Sequence, residues 1–257
     1  MTLTVGVLAL QGGFYEHINL LRKASRQLGP RGQDTKLIEV RNSTELSTCD
    51  ALVIPGGEST TMALVAAQSG LLEPLRKFVK VDKKPVWGTC AGLILLAEAA
   101  NDTKKGGQEL VGGLAVRVHR NHFGRQVESF ITDLSLPFLA SSPGQNGSGT
   151  PAPYSGVFIR APIVEALLTS EGSPDSPERS PVEIMGVLPG RRTKATAAST
   201  TAPDTKPGEV PKDLGDVIAV RQDNVFGTSF HPELTDDTRI HVWWLDQVVE
   251  RVGGQWR

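Results

Sequence analysis

The sequence contains little cysteine and no excess of charge of either sign. Its 257 residues include two cysteines, Cys49 and Cys90, which are too few for a disulfide framework and indicate free thiols in a reducing compartment. Lys and Arg total 27, Asp and Glu total 28, and the formal net charge is −1. This balance provides no general attraction to nucleic acid or to an anionic membrane. We therefore expect neither as a partner.

Long apolar runs and simple cofactor motifs are also missing. No uninterrupted apolar stretch reaches the roughly 18–20 residues that cross a bilayer. Residues 1–5 lack a charged region followed by a long apolar core, so we expect no targeting segment there. Metal-ligand spacings such as Cys-x-x-Cys and the Gly-x-x-x-x-Gly-Lys-[ST] phosphate loop are absent. We predict a cytoplasmic protein with no metal site and no cofactor.

Short apolar runs alternate with helical patterns in the first part of the chain. Residues 4–10, 37–40 and 51–54 are predicted strands that enter polar or glycine-rich turns. Between the first two, apolar residues recur at three- and four-residue spacing, which predicts a helix. This alternation predicts a three-layer α/β fold, with a mostly parallel central sheet and helices on both faces.

The pattern changes in the second half of the chain. Segments 110–119, 127–131 and 156–160 are strand-like and are separated by turns, which predicts a mixed or antiparallel edge of the sheet. We predict a single domain over residues 1–257. It carries flexible insertions, rich in Pro, Gly, Ser and Thr, at about 141–153, 171–181 and 189–213.

One stretch carries a candidate nucleophile. A short strand from Pro85 enters the turn Gly88-Thr89-Cys90-Ala91-Gly92, and the apolar run 93–97 then predicts a helix. Gly-x-Cys-x-Gly between a strand and a helix is the thiol counterpart of the nucleophile elbow, which exposes a reactive side chain near backbone N–H groups. The alternative is a small buried cysteine in a glycine turn.

Three further segments are candidates for the same site. The turn 55–61 contains two glycines, and its Ser59 or Thr60 could cap the helix that follows. The segment 120–126 has two arginines, which suit a carboxylate ligand. His231-Pro232-Glu233 offers a base and a carboxylate, whose side chains point the same way in an extended segment. A capped turn, a solvated loop and a surface histidine are the respective alternatives.

Taken together, these motifs resemble the class I glutamine amidotransferase family. The resemblance extends over several ordered blocks, from about residue 4 to residue 249, and within the family it is specific to the glutaminase subunits of pyridoxal 5′-phosphate synthase. The inserted loops are longer than those of compact bacterial members, which favours a eukaryotic, for example fungal, member. The blocks are Val7-Leu8-Ala9-Leu10-Gln11-Gly12 with Glu16-His17, Pro55-Gly56-Gly57-Glu58-Ser59-Thr60-Thr61-Met62, Gly88-Thr89-Cys90-Ala91-Gly92, Arg120-Asn121-x-Phe123-Gly124-Arg125-Gln126, Gly156-Val157-Phe158-Ile159-Arg160-Ala161-Pro162 and Ser229-Phe230-His231-Pro232-Glu233-Leu234-Thr235.

The resemblance implies a reaction and a set of roles. It implies hydrolysis of L-glutamine to glutamate, with ammonia passed to a separate synthase subunit that builds vitamin B6. Cys90 would form a γ-glutamyl thioester, His231 would move protons and Glu233 would orient His231. The family pattern also implies an oxyanion hole and a glutamine-binding set. The oxyanion hole consists of Gly57 and Ala91, and the binding set of Gly57, Glu58, Ser59, Arg120, Ile159 and Arg160.

Two other functions remain open at this point. The chain could be a catalytically idle subunit that only binds or regulates, although Cys90, His231 and Glu233 are all present. It could also be a cysteine hydrolase of the same fold, which would not need Arg120 or Arg160. Gln11, at the end of the first strand, is a candidate for sensing the partner, or else an ordinary strand-end amide.

Overall fold

The computed structural model describes residues 2–32, 34–101, 108–120, 122–123, 129–141, 151–168, 180–189 and 215–254. Most of each predicted insertion (142–150, 171–179 and 190–213) lies outside these residues. The α-helices within them are α1 Phe14–Gln27, α2 Ser43–Ser47, α3 Ser59–Gln68, α4 Leu72–Arg76, α5 Ala91–Leu96 and α6 Arg239–Gly254.

The strands belong to two sheets. They are β1 Leu3–Leu8, β2 Thr35–Val40, β3 Ala51–Ile54, β4 Val86–Thr89, β5 Ala97–Ala100, β6 Leu114–His119, β7 Phe130–Leu134, β8 Tyr154–Phe158, β9 Ile163–Leu167, β10 Glu183–Leu188, β11 Asp216–Gln222 and β12 Val225–Thr228. Ten form one sheet in the order β2-β1-β3-β4-β12-β11-β9-β6-β5, with β10 also paired to β11, while β7 and β8 form a separate pair.

The large sheet has a parallel half and a mixed half, as the sequence predicted. Strands β2, β1, β3, β4 and β12 are parallel neighbours. Strand β11 is antiparallel to β12, β9 and β10, and β9 is antiparallel to β6. A strand from the end of the chain, β12, therefore pairs in register with β4, so that Thr228 lies beside Thr89.

Helices cover both faces of this sheet, which gives three layers. One face packs against α3, α4 and α5, with a core that includes Leu52, Ile54, Met62, Leu71 and Leu93. The other packs against α1 and α6, with a core that includes Val53, Leu21, Trp87, Ile240 and Trp244. Each such fully buried side chain contributes about 1.5–3 kcal/mol to folding.

Glycine geometry shortens one predicted strand. Residues 110–119 were predicted as one strand, but β6 begins at Leu114. Gly112 and Gly113 have φ of +76° and +116°, values that interrupt a regular strand.

Among the helices of the described residues, none is both long enough and apolar enough to cross a membrane.

Candidate active site

Cys90 occupies a strained turn between β4 and α5. Its φ of 47° and ψ of −100° lie outside the favoured regions for a residue with a side chain, and such strain is concentrated at functional sites. The Cys90 N–H donates to the Thr228 carbonyl at 2.8 Å. A Cβ on Gly92 would lie 2.0 Å from the Ile54 carbonyl oxygen, so glycine is required for α5 to pack this closely. The elbow predicted from the sequence is therefore present.

His231 and Glu233 follow β12. Their side chains meet as predicted, but the backbone between them does not have the predicted conformation. The Nδ1 of His231 lies 2.8 Å from Oε1 of Glu233. Sequence reasoning assumed an extended segment, whereas Pro232–Leu234 forms a 3-10 turn. The expectation was wrong because Pro232 favours the first position of such a turn. The His231 N–H donates to the Val157 carbonyl at 2.8 Å, which ties the turn to β8.

Burial and close partners set the charges of this pair. Burial alone lowers the pKa of His231, but the charges and hydrogen bonds of Cys90 and Glu233 outweigh it, so that its pKa is raised. Burial alone raises the pKa of Glu233, and its contacts with His17 and His231 outweigh this effect, so that its pKa is lowered. The arrangement therefore stabilises the positive charge that His231 carries while it holds a transferred proton.

A cavity of about 300 Å³ lies in front of Cys90. Every residue of the predicted site except Glu233 lines it, and Glu233 lies behind His231. Gln11 and Ile94, which were not among the predicted site residues, also line the cavity. The lining residues are Gln11, Gly57, Glu58, Ser59, Cys90, Ala91, Ile94, Arg120, Ile159, Arg160 and His231.

The predicted oxyanion donors come from two different turns. Ala91 is the first residue of α5, where a backbone N–H has no acceptor within its own helix. Gly57 lies in the turn between β3 and α3. Next to it, the N–H of Glu58 donates to Oε1 of Gln11 at 2.6 Å. The side chain of Gln11 therefore already accepts a hydrogen bond from one N–H group of this turn.

Glu58, rather than Ser59 or Thr60, caps α3. Its carboxylate accepts hydrogen bonds from the N–H groups of Thr60 at 3.1 Å and Thr61 at 2.7 Å. The prediction of a hydroxyl cap was wrong because the longer carboxylate reaches both N–H groups and also the Thr61 hydroxyl at 2.7 Å. Burial raises the pKa of Glu58, but these hydrogen bonds prevail and lower it.

Arg120 approaches the same helix terminus from the end of β6. Its Nη2 donates to Oγ1 of Thr60 at 3.1 Å and lies 3.8 Å from Oε1 of Glu58. The guanidinium is thus held at the cavity wall, where it can meet a carboxylate ligand. Of the predicted basic loop 120–126, Asn121, Gly124, Arg125 and Gln126 lie outside the described residues.

Sequence reasoning missed two residues that support the site. Gln108 hydrogen-bonds Ser59, and His17 lies 3.3 Å from Oε2 of Glu233. Neither was assigned a role from the sequence, because Gln108 lies in a polar stretch and His17, although it belongs to one of the blocks of the resemblance, occupies an apolar-periodic position of α1. Their contacts with the site depend on how separate elements pack together and not on spacing along the chain.

A larger cavity of about 410 Å³ lies elsewhere, beside β12 and α6. Its lining includes Arg221, Asn224, Trp243 and Arg251 but no cysteine, histidine or serine. Volume alone would favour that cavity. The chemistry of the lining favours the smaller one, because it contains a nucleophile and a base.

The chain is similar to known proteins over nearly its whole length. The family model described as the SNO glutamine amidotransferase family matches residues 7–199 and 198–250. The probable pyridoxal 5′-phosphate synthase subunit PDX2 of Arabidopsis thaliana is 46% identical over 248 residues, covering 96% of this chain and 87% of that protein. The pyridoxal 5′-phosphate synthase subunit PdxT of Streptomyces griseus is 40% identical over 247 residues, 96% of each chain.

A solved structure is similar as well. It is described as the crystal structure of a glutamine amidotransferase, with a TM-score of 0.65 and 36% sequence identity, and the match covers 95% of this chain and 98% of that one. The likeness therefore extends over nearly the whole fold of this chain.

Proposed function

Because this chain belongs to the SNO glutamine amidotransferase family, we propose that it is a glutaminase that converts L-glutamine to L-glutamate and ammonia. The ammonia serves a synthase subunit that makes pyridoxal 5′-phosphate, since similar proteins are named as subunits of that synthase. The observation that carries the proposal is the single cavity in which Cys90, His231 and the predicted glutamine-binding residues meet.

Cys90 is the nucleophile of the proposed reaction. Its sulfur attacks the carboxamide carbon of glutamine while His231 takes the thiol proton. The N–H groups of Gly57 and Ala91 receive the charge that develops on the carboxamide oxygen, and each such donor is worth about 3 kcal/mol. His231 then gives its proton to the leaving nitrogen, so that ammonia departs and a γ-glutamyl thioester remains.

Water completes the cycle. His231 takes a proton from a water molecule that attacks the thioester carbon, and it gives this proton to the sulfur as the carbon–sulfur bond breaks, which leaves glutamate and the Cys90 thiol. Glu233 holds Nδ1 of His231 throughout, at 2.8 Å, so that Nε2 remains the nitrogen that exchanges the proton.

The rest of the cavity wall suits the amino acid end of glutamine. Arg120 offers a guanidinium for the α-carboxylate, and Glu58 offers a carboxylate whose pKa is lowered by its hydrogen bonds to Thr61 and Thr60. The Ile159 carbonyl oxygen is 4.0 Å from the Cys90 sulfur. We assign Ser59, Ile159 and Arg160 to the same substrate-binding wall, which also includes Gly57.

The test is an assay of glutamate release by the purified chain mixed with a competent synthase subunit. Wild type and C49A are expected to release glutamate from glutamine but not from asparagine, whereas C90A is expected to release none while keeping its fold by circular dichroism. Undiminished release by C90A would contradict the thioester mechanism. No release by wild type with an active partner would instead favour an idle regulatory subunit.

A further inference from the structure

A buried group of histidines lies behind the catalytic pair, on the side away from the cavity. His17 of α1 and His241 of α6 are both completely buried. Nδ1 of His17 lies 3.0 Å from Nε2 of His241. Nε2 of His17 lies 3.3 Å from Oε2 of Glu233 and 3.2 Å from Oγ1 of Thr89. The carboxylate of Glu233 is therefore flanked by an imidazole on each oxygen.

The surroundings of His17 favour a proton on Nε2. Within the described residues Oε2 of Glu233 has no hydrogen bond of regular geometry, and Nε2 of His17 lies beside it at 3.3 Å. Because an ionised carboxylate can only accept hydrogen bonds, this contact is favourable when Nε2 of His17 carries the proton. Nδ1 of His17 then accepts from Nε2–H of His241. Within the described residues, Nδ1 of His241 has no hydrogen-bond partner. A bare nitrogen is easier to bury unpaired than an N–H group, which favours this direction for the chain of hydrogen bonds.

Aromatic packing surrounds this group of hydrogen bonds. Trp87 of β4 is fully buried, and its ring lies edge-on to His17 at 5.4 Å and to His241 at 4.9 Å between ring centroids. Oγ1 of Thr89 also lies within hydrogen-bond distance of Nε2 of His17, so it can share the same N–H with Glu233. Thr89, the neighbour of Cys90, is also fully buried.

We propose that His17 is a positioning residue of the glutaminase reaction. Its Nε2–H holds Oε2 of Glu233, which keeps Oε1 on Nδ1 of His231 while His231 gains and loses a proton, and His241 fixes the tautomer of His17. The terminal torsion of a glutamate is otherwise broad, and one hydrogen bond would leave the carboxylate free to rotate. This inference rests on the proposed function and adds a residue to it.

Three substitutions at His17 separate positioning from packing. H17Q places an amide N–H near the Nε2 position, H17N is too short to reach Glu233, and H17L removes the donor. In the complex with the synthase subunit, H17N and H17L are expected to lower kcat by up to about 100-fold with little change in KM. H17Q is expected to retain most of the wild-type kcat.

The pH profile provides a readout that a packing role would not change. The groups facing Glu233 are His231 with Cys90 behind it, His17 of α1, Tyr154 of β8 and His241 of α6. Burial keeps Tyr154 and His241 neutral. In H17L and H17N the carboxylate loses an N–H that favours its charged form, so the acidic limb of the kcat profile is expected to move to higher pH. In H17Q the acidic limb should stay at the wild-type pH.

Some results would overturn the proposal. These are a folded H17L or H17N chain with wild-type kcat and pH profile, or an H17Q chain as impaired as H17L. If the variants do not fold, nitrogen-15 spectra of histidine-labelled wild type decide, because Nε2 of His17 must carry a proton and an unprotonated Nε2 excludes the contact. Should wild type release no glutamate, the proposed function fails, while the spectra still test the contact between His17 and Glu233.

Discussion

Gln108 holds Ser59 through both ends of its side-chain amide. Its Oε1 accepts a hydrogen bond from the Ser59 hydroxyl at 3.1 Å, and its Nε2 donates to the Ser59 carbonyl at 3.1 Å. Ser59 is the first residue of α3 and lines the cavity in front of Cys90. Gln108 itself does not line that cavity, so its effect on a substrate must pass through Ser59.

Removing this amide should weaken substrate binding more than chemistry. We expect Q108A to raise the KM for glutamine about tenfold, which corresponds to roughly 1.4 kcal/mol for two lost hydrogen bonds. The value of kcat should change little, because Cys90 and His231 keep their positions. Steady-state glutamate release by the complex measures both constants. Q247A, on α6 beside the other cavity, is the control and should match wild type. A fall in kcat without a rise in KM would contradict this role.

Gly56 leaves room for the catalytic imidazole. A Cβ at this position would lie 2.4 Å from Cε1 and 2.6 Å from Nδ1 of His231, closer than real contacts permit. We expect G56A to displace the ring from Glu233 and to lower kcat by about 100-fold or more. The same assay measures this loss, with circular dichroism to show that the chain is folded.

A second glycine provides the matched control for that substitution. Gly253 lies near the end of α6, and a Cβ there would meet nothing within 4 Å. G253A should therefore keep full activity and should not destabilise the chain, since alanine favours helix more than glycine. Wild-type kcat in G56A would show that His231 can move without loss, and the positioning argument would be wrong.

The local part of the site was predictable from the sequence, and the part that depends on the fold was not. Cys90 between two glycines, and His231 two residues before Glu233, are short motifs that place their side chains through nearby backbone, although the second forms a 3-10 turn where an extended segment was expected. The alternation of strands and helices likewise predicted the parallel half of the sheet. In contrast, β12 lies between β4 and β11, an order that no local pattern specifies.

His17 illustrates why the remaining part was missed. It lies three residues after Phe14 on the buried face of α1, a position typical of core packing. Its partner His241 is separated from it by 224 residues. Only the packing of α1 and α6 on the same face of the sheet brings them together, and propensity or periodicity carries no information about which helices become neighbours.

The two cysteines should differ sharply in reactivity. Burial raises the pKa of Cys49 to about 11, with Lys84 offsetting part of the effect, and no part of its side chain is exposed. Cys90 instead lines the cavity beside His231. We expect iodoacetamide to add one group to the native wild-type chain and none to C90A, since only a reachable thiolate reacts. Mass spectrometry of peptides locates the adduct. Labelling of Cys49 in the native C90A chain would contradict this difference, and denatured C90A should label at Cys49 as the positive control.

His241 should make the fold sensitive to acid. Burial and the neighbouring His17 hold its pKa well below the usual value, and Glu233 only partly offsets them. Below about pH 6.5 the unfolded chain binds a proton at His241, whereas His241 of the folded chain stays neutral. This contribution to stability is therefore complete above about pH 6.5 and is lost as the pH falls, by at most about 1.4 kcal/mol per pH unit. His231, whose pKa is raised, acts in the opposite sense but is present in both wild type and H241Q.

Urea unfolding at about pH 8 and about pH 5.5 should show that wild type loses more stability than H241Q on acidification. Equal losses in the two chains would mean that His241 is not held neutral by the fold.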